Sequence, residues 1–281
     1  MSDRVALVTG TSSGFGLLAV VALAREGFRV IPTMRNLTKA ERLRAAAAEA
    51  GVALEEIPAL DVTDAASIAG AAERVRGEYG RLDVLVNNAG YALVGPMEDI
   101  PADAFRRQIE TNVVGVAEVT KAFLPMMRAQ GGGRIVNVAS MAGHVGVPMM
   151  APYNASKFAL EGLTEAWAYE LRPFGIDVVL IEPGTFKTDF DNRSMDVRED
   201  AASPYAAMMA THARKKAQIV RLGGDPARVA RLIARAATTP RPRLRYAIGW
   251  DARLGLASRA LLPDRFFRWA AARAAGVPRR L

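Results

Sequence analysis

The sequence predicts a doubly wound α/β fold, a parallel sheet with helices on both faces. Three observations carry that prediction. Short apolar runs recur with helical stretches between them, the first run leads straight into a glycine-rich turn, and no Pro-, Gly- or Ser-rich linker divides the chain before about residue 222. Residues 4–9 (RVALVT) form the first strand, entering GTSSGFG; Phe15, Leu18, Val21 and Ala22 then recur at helical spacing until Gly27. The second strand is 28–34 (FRVIPTM), where Pro32 is unusual for a central parallel strand. A helix over 38–50 ends at Gly51, and LEEIPAL (54–60) reads as a third, less apolar strand. Thr63 or Asp64 can cap a helix over 65–78, and LDVLVNN (82–88) is the fourth strand.

Helices follow over roughly 101–130, stopped by the glycines at 131–133. RIVNVAS (134–140) is a fifth strand, 152–172 a helix, IDVVLIEP (176–183) a sixth strand and LRYAIGW (244–250) the last. Right-handed crossovers leave the order 3-2-1-4-5-6-7 as the expected sheet. The whole of 1–281 reads as one domain, with 189–222 a polar, mixed segment suited to a substrate lid and 250–281 a basic helical extension.

Composition removes several chemistries. The 281 residues hold no Cys and two His, His144 and His212, which excludes disulfides and thiolate nucleophiles and disfavours a zinc site, so no metal is expected. The longest apolar run, Leu17 to Ala24, is too short for a transmembrane segment, and the first strand begins so early that a cytoplasmic protein is the expectation. Fourteen Arg against three Asp follow residue 220, a balance of +11 within a total of +8. These arginines are interleaved with Ala, Leu and Pro, with no dense basic run, so nucleic acid is not an expected partner.

Chemistry concentrates between Ser140 and Lys157. On a helix, Tyr153 and Lys157 lie one turn apart on one face, where an ammonium favours phenolate and lowers the phenol's pKa. Read alone, the two are more often simply an exposed pair. The turn TGTSSGFG adds a second feature. Gly10 permits a tight exit from the strand, Gly14 close approach of a pyrophosphate, and Gly16 packing of the helix on the sheet, with the helix N-terminus facing the phosphates.

T-G-x-x-x-G-x-G at 9–16, D-V at 61–62, N-N-A-G at 87–90, Asn112, Ser140, Y-x-x-x-K at 153–157 and P-G at 183–184 occur in order. In this pattern, which covers residues 4 to about 190, the chain resembles the short-chain dehydrogenase/reductase family and its Rossmann-type fold. TGTSSGFG, PGTFKTDF, RYAIGWDA and LLPDRFF are most similar to the 17β-hydroxysteroid and retinol dehydrogenase-like group.

The resemblance implies an NAD(P)-dependent oxidoreductase acting on CH–OH groups. Tyr153 would be the acid/base, Lys157 would tune it and bond the nicotinamide ribose, Ser140 would hold the substrate oxygen, and Asn112 would hold a helix irregularity and a water. Gly10, Ser12, Ser13, Gly14, Phe15 and Gly16 would surround the pyrophosphate. Asp61 and Val62 would cradle adenine, and Asn88, Ala89 and Gly90 would line the ribose. Pro183, Gly184, Thr185, Phe186 and Thr188 would flank the nicotinamide. A homodimer or homotetramer is expected on the same ground. Judged singly, Asn112, Asp61 and Ser140 also suit structural roles as a buried polar group, a cap and a turn residue.

In NAD enzymes of this fold an acid at the end of the second strand bonds the ribose 2′-OH. Here Met34 stands in that slot and Arg35 follows, a guanidinium able to pair with a 2′-phosphate, so NADP(H) is expected over NAD(H). His144, Val145, Met149, Met150, Phe186 and Phe190, with Tyr205, Met208 and Met209 from the lid, form the expected substrate wall, apolar and adaptable enough for a bulky lipophilic substrate. Two other readings stand beside this one, a non-catalytic NADP-binding sensor and an isomerase or dehydratase using the same Tyr–Lys pair.

Overall fold

A computed structural model describes residues 4–188 and 194–278. Six strands, β1 (Val5–Val8), β2 (Arg29–Pro32), β3 (Val84–Asn87), β5 (Gly133–Val138), β6 (Ile176–Pro183) and β8 (Arg245–Ile248), form one sheet in the order β2-β1-β3-β5-β6-β8 with every pairing parallel. Alternation along β1 shows why the sheet is covered twice. Ala6 and Val8 join a core with Val20 and Leu23 of α1 (Gly14–Arg25) and Val229 and Ile233 of α8 (Ala227–Thr238). Val5 and Leu7 face the opposite core, with Ile68 and Val75 of α3 (Ala65–Glu78) and Val119 and Phe123 of α5 (Gly115–Ala129).

The expected third strand is a correction. Residues 54–60 keep one isolated parallel bridge, Met34 to Ala59, with the Leu60 N–H donating to the Met34 carbonyl at 3.1 Å. Pro32 and Pro58 lie along this seam, and neither brings an N–H to a ladder. The expected order is otherwise preserved, with 54–60 outside β2 as a bridge. Helix ends follow local chemistry: α2 (Glu41–Ala50) closes on Gly51 at φ 64°, and the Asp64 carboxylate accepts from the N–H groups of Ala66 and Ser67 to start α3.

Two features are not legible in the periodicity. The helical region after residue 101 is α4 (Ala102–Ile109) and α5 separated by a π turn, Glu110–Val114. A second sheet of two three-residue strands, β4 (Ala92–Val94) and β7 (Met195–Val197), lies apart from the first. The remaining helices are α6 (Ala151–Glu170), α7 (Ala206–Arg221), α9 (Trp250–Leu261) and α10 (Asp264–Ala275).

Candidate active site

Strand β5 ends at Val138, and two residues later Ser140 opens a short 3₁₀ turn, Met141–Gly143, its Oγ accepting from the Ala142 N–H at 3.2 Å. Helix α6 starts with Ala151 and Pro152, a favoured early position for proline, and carries Tyr153 and Lys157 on one face. Both are buried, at 9% and 8% exposure. The Ser140 hydroxyl hydrogen-bonds the Tyr153 phenol. Lys157 Nζ lies 5.8 Å from the Tyr153 ring centroid and donates to the Val138 carbonyl at 2.8 Å. The pair is therefore no surface pair.

The electrostatics correct one expectation. Burial pushes the Tyr153 phenol up to about 12, with the Ser140 hydrogen bond acting against it. Burial also pulls the Lys157 ammonium down to about 8, partly opposed by the Glu161 carboxylate one turn along. Desolvation thus outweighs the lowering of Tyr153 expected from Lys157. At neutral pH the arrangement holds a protonated phenol beside a charged lysine.

Asn112 sits inside the π turn, buried, its carboxamide donating to the Tyr91 carbonyl (2.9 Å) and Ser156 Oγ (3.1 Å) and accepting from the Tyr91 N–H (3.1 Å). The extra residue per turn leaves the helical ladder irregular here, and these bonds tie the irregularity to α6.

The glycine-rich turn is held from the neighbouring strand end. Thr9 Oγ1 accepts from the Asn88 and Ala89 N–H groups, each at 3.0 Å, and the Asn88 carboxamide donates to the Thr9 (2.9 Å) and Gly10 (3.0 Å) carbonyls. Asn88 thus supports the turn. Gly10 and Gly14 take φ of 70° and 59°, and a Cβ on Gly14 would meet nothing within 4 Å. Ser13 stands at the N-cap of α1, and its side chain makes no capping bond to the first N–H groups. An open cradle beside an uncapped helix N-terminus fits a dinucleotide pyrophosphate. Ser12 lies within that turn, and Gly90 packs against Asn112, where a Cβ would lie 3.0 Å from its Oδ1.

Several expected contacts lie elsewhere. Met34 is buried in the core at 2% exposure, so its side chain does not reach toward a ribose; Val62 is likewise a core residue. Arg35 is 78% exposed at its side chain, its Nε 3.9 Å from Asp61 Oδ2, while Asp61 Oδ1 accepts from Thr63 N (3.0 Å) and Oγ1 (2.8 Å). Phe186 joins the α1 core, edge-on to Phe15 at 5.8 Å, instead of the surroundings of Tyr153. Met149, Met150 and Met209 belong to one apolar cluster with Tyr153, Ala92, Val94, Ala142 and Met195. Met149 has a φ of 64°, a strained backbone for a side-chain-bearing residue. Val145 is buried, Met208 half-buried, and the Tyr205 hydroxyl bonds Glu98. Phe190 lies outside the described residues.

His144 is held outside the substrate wall. Its Nε2 is 3.2 Å from Glu182 Oε1 and 3.3 Å from Glu161 Oε2, both carboxylates buried, and Arg245 Nε from β8 is 3.0 Å from the same Glu161 oxygen. His144, Glu161 and Glu182 form a metal-competent constellation, but Arg245 already supplies a second cation to the two acids. Glu161 and Glu182 raise the imidazole to about 9. A raised pKa adds stability that is full below the unfolded value near 6.5 and is lost as pH rises through about 9. Replacing His144 with glutamine should therefore cost about 1–2 kcal/mol near pH 6, after allowance for the ring's partial exposure, and little above pH ~9. Urea unfolding across that range checks it, and a pH-independent loss would contradict it.

Asp251 also escapes a reading of the sequence. Its Oδ2 accepts from the Thr185 N–H at 2.6 Å, and a Cβ on Gly184 would fall 1.9 Å from its Oδ1, so the first turn of α9 holds the loop after β6. That loop carries Pro183, Gly184, Thr185 and Thr188, whose N–H donates to the Phe186 carbonyl at 2.9 Å.

A nucleotide-binding turn at the head of a parallel sheet, with buried Tyr153 and Lys157 beside a half-buried Ser140 across the strand ends, defines a nicotinamide-dependent oxidoreductase fold. The model of the short chain dehydrogenase family matches residues 4–199, and the chain belongs to that family. It is an NAD(P)-dependent dehydrogenase/reductase acting on CH–OH groups. An uncharacterized oxidoreductase, YusZ, of Bacillus subtilis is 45% identical over 94% of this chain and 95% of its own length. Human 17-beta-hydroxysteroid dehydrogenase type 1 is 39% identical over 88% of this chain and 77% of its own. Among solved structures, a short-chain dehydrogenase from Streptomyces avermitilis superposes with a TM-score of 0.83 at 37% identity, covering 99% of each chain. A single-residue variant of actinorhodin polyketide ketoreductase with NADPH superposes at 0.75 and 31% identity, over 89% of this chain and 97% of its own.

Proposed function

We propose that the chain interconverts a carbonyl and a secondary alcohol on a bulky lipophilic molecule, steroid- or retinoid-like or another apolar ketone, using NADP(H). One observation carries this reading: Tyr153, bonded to Ser140, sits within an apolar cluster of Met149, Met150, Met195 and Met209. A nicotinamide cofactor, when bound, would supply the hydride that the carbonyl carbon receives. Tyr153 donates the proton to the oxygen, Ser140 donates a hydrogen bond to that oxygen and holds it in place, and Lys157 contributes positive charge as the phenol loses its proton. Thioethers adapt to an irregular apolar surface, and Met209 comes from α7, so the segment around 194–222 serves as the cover over the substrate. Relatives named for steroid and retinol dehydrogenation support the substrate class.

The test follows reduced-nicotinamide absorbance over a panel of steroid, retinoid, aromatic and aliphatic carbonyls. Preferential turnover of the bulky apolar members is expected; tight NADPH binding without turnover of any would replace this reading with the sensor. Cofactor choice has its own check. Arg35 is largely exposed to solvent and, among the described residues, has a long 3.9 Å contact to Asp61, so a 2′-phosphate can recruit it. Arg35→Ala should raise the KM for NADPH about 10- to 100-fold, the worth of one charge-assisted pair, and change that for NADH by less than about threefold. Equal losses for both cofactors would refute the contact.

A further inference from the structure

The hairpin of α9 and α10 contributes little to either core. It is fixed to the rim of the active site: Asp251 bonds the Thr185 N–H, a Cβ on Gly255 would lie 3.1 Å from Met141 Cε beside Ser140, and one on Gly276 would lie 2.7 Å from Thr211 of α7. Its outer face is strongly apolar. Trp250, Leu254, Leu261, Leu262, Phe266 and Trp269 are 55%, 60%, 81%, 43%, 49% and 56% exposed. Trp250, Leu254, Ala257 and Leu261 follow 4-3-4 spacing and so share one face of α9.

The same hairpin is basic. Arg253, Arg259, Arg265, Arg268 and Arg273 are exposed against two acids. Asp251 is turned inward, and Asp264 pairs with Arg259 (2.7 Å) and Arg268 (2.8 Å). Arg265 lies over the Phe266 ring at 4.8 Å, and among the described residues Arg253 and Arg273 have no carboxylate partner.

We infer that this hairpin seats the enzyme on an anionic lipid surface, its tryptophans and leucines entering the headgroup layer and its arginines meeting lipid phosphates. The helices lie in the interface, since no helix among the described residues is long and apolar enough to cross a membrane. Tryptophan suits that boundary, and arginine can keep its head on phosphate while its stem stays apolar. A second copy of the chain fits less well. A two-fold contact sets a patch against itself, which here opposes like charges. An acidic soluble partner would match the arginines but leave the apolar stripe unexplained. Lipid satisfies both. The docked hairpin would also set the cover helix α7 and the Ser140 turn near the bilayer, where a lipophilic substrate partitions; this consequence rests on the proposed substrate class, whereas the docking does not.

The test is co-sedimentation of the full chain with vesicles of phosphatidylcholine alone or with roughly one-third phosphatidylglycerol. Wild type should bind the anionic vesicles at least about tenfold more tightly than the neutral ones, and less at high salt. Arg265→Ala and Arg273→Ala should each weaken that binding about fivefold. The double variant Leu254→Glu/Trp269→Glu should stay in the supernatant while keeping its circular dichroism spectrum and thermal midpoint. No binding by wild type, or undiminished binding by the double variant, overturns the inference. So does a wild-type dimer that this variant splits, seen by light scattering without vesicle binding, which makes the face a contact between copies. Vesicle binding is read without substrate, so its failure leaves the reductase reading untouched.

Discussion

Replacing Tyr153 with phenylalanine should lower kcat about 10²- to 10⁴-fold while NADPH affinity changes by less than about twofold. The two side chains share a ring, and the ring is what packs among Met149, Met150 and Met209. Only the hydroxyl is lost. Ser140 keeps the Pro183 carbonyl at 3.5 Å and the Ala142 N–H at 3.2 Å, so the removal leaves no orphaned polar group and stability should fall by less than about 1 kcal/mol. With the phenol pushed up to about 12, the hydroxyl at neutral pH is a proton donor, which suits carbonyl reduction; alcohol oxidation needs the phenolate and should improve as pH rises. Initial-rate assays of NADPH consumption and a fluorescence titration of NADPH separate the two quantities. Activity within tenfold of wild type would remove Tyr153 from the chemistry.

Much of the sheet is legible because strands buried on both faces read as short, nearly continuous apolar runs, as in VALV and the Val84–Val86 part of VLVN, and such runs differ from the helices between them. What fails is pairing at the edge. Residues 54–60 have the look of a strand, yet Pro32 and Pro58 leave a single bridge, a property of two segments that neither shows alone. The site divides in the same way. Short-range spacing brings Tyr153 and Lys157 to one face, and the geometry sets Ser140 beside them. The loop around His144 suggests a residue facing substrate, but its partners Glu161, Glu182 and Arg245 come from α6, β6 and β8. Asp251 is hidden for a similar reason: an acid in the first turn of a distant helix gives no local sign that it holds Gly184 and Thr185. Met34 stands where the sequence reading expects an acid in NAD enzymes, and its own side chain belongs to the core.

Gly16→Ala should be the most damaging single methyl in the nucleotide turn, and Gly14→Ala a mild one, although both glycines belong to the same motif. A Cβ on Gly16 would lie 2.3 Å from Asn88 Nδ2 and 2.5 Å from the Gly10 carbonyl oxygen. The second of these is backbone, so rotating one side chain cannot relieve it. Either α1 lifts from the sheet or the turn opens, and both break the Asn88 bonds to Thr9 and Gly10. We expect a loss of about 2–4 kcal/mol in unfolding free energy and NADPH binding weakened beyond ready measurement. At Gly14 a Cβ meets open space and only the φ of 59° is unfavourable, so the stability cost should be about 1 kcal/mol. Adding Asn88→Ala to Gly16→Ala separates the two clashes. If the side-chain contact dominated, the double variant would regain most of its stability; because the Gly10 carbonyl is the less yielding obstacle, recovery should be partial and NADPH binding should stay lost. Urea unfolding of the three variants with a parallel NADPH titration decides between these outcomes, and a Gly16→Ala protein as stable as Gly14→Ala would show that the helix and turn are not locked together as the packing requires.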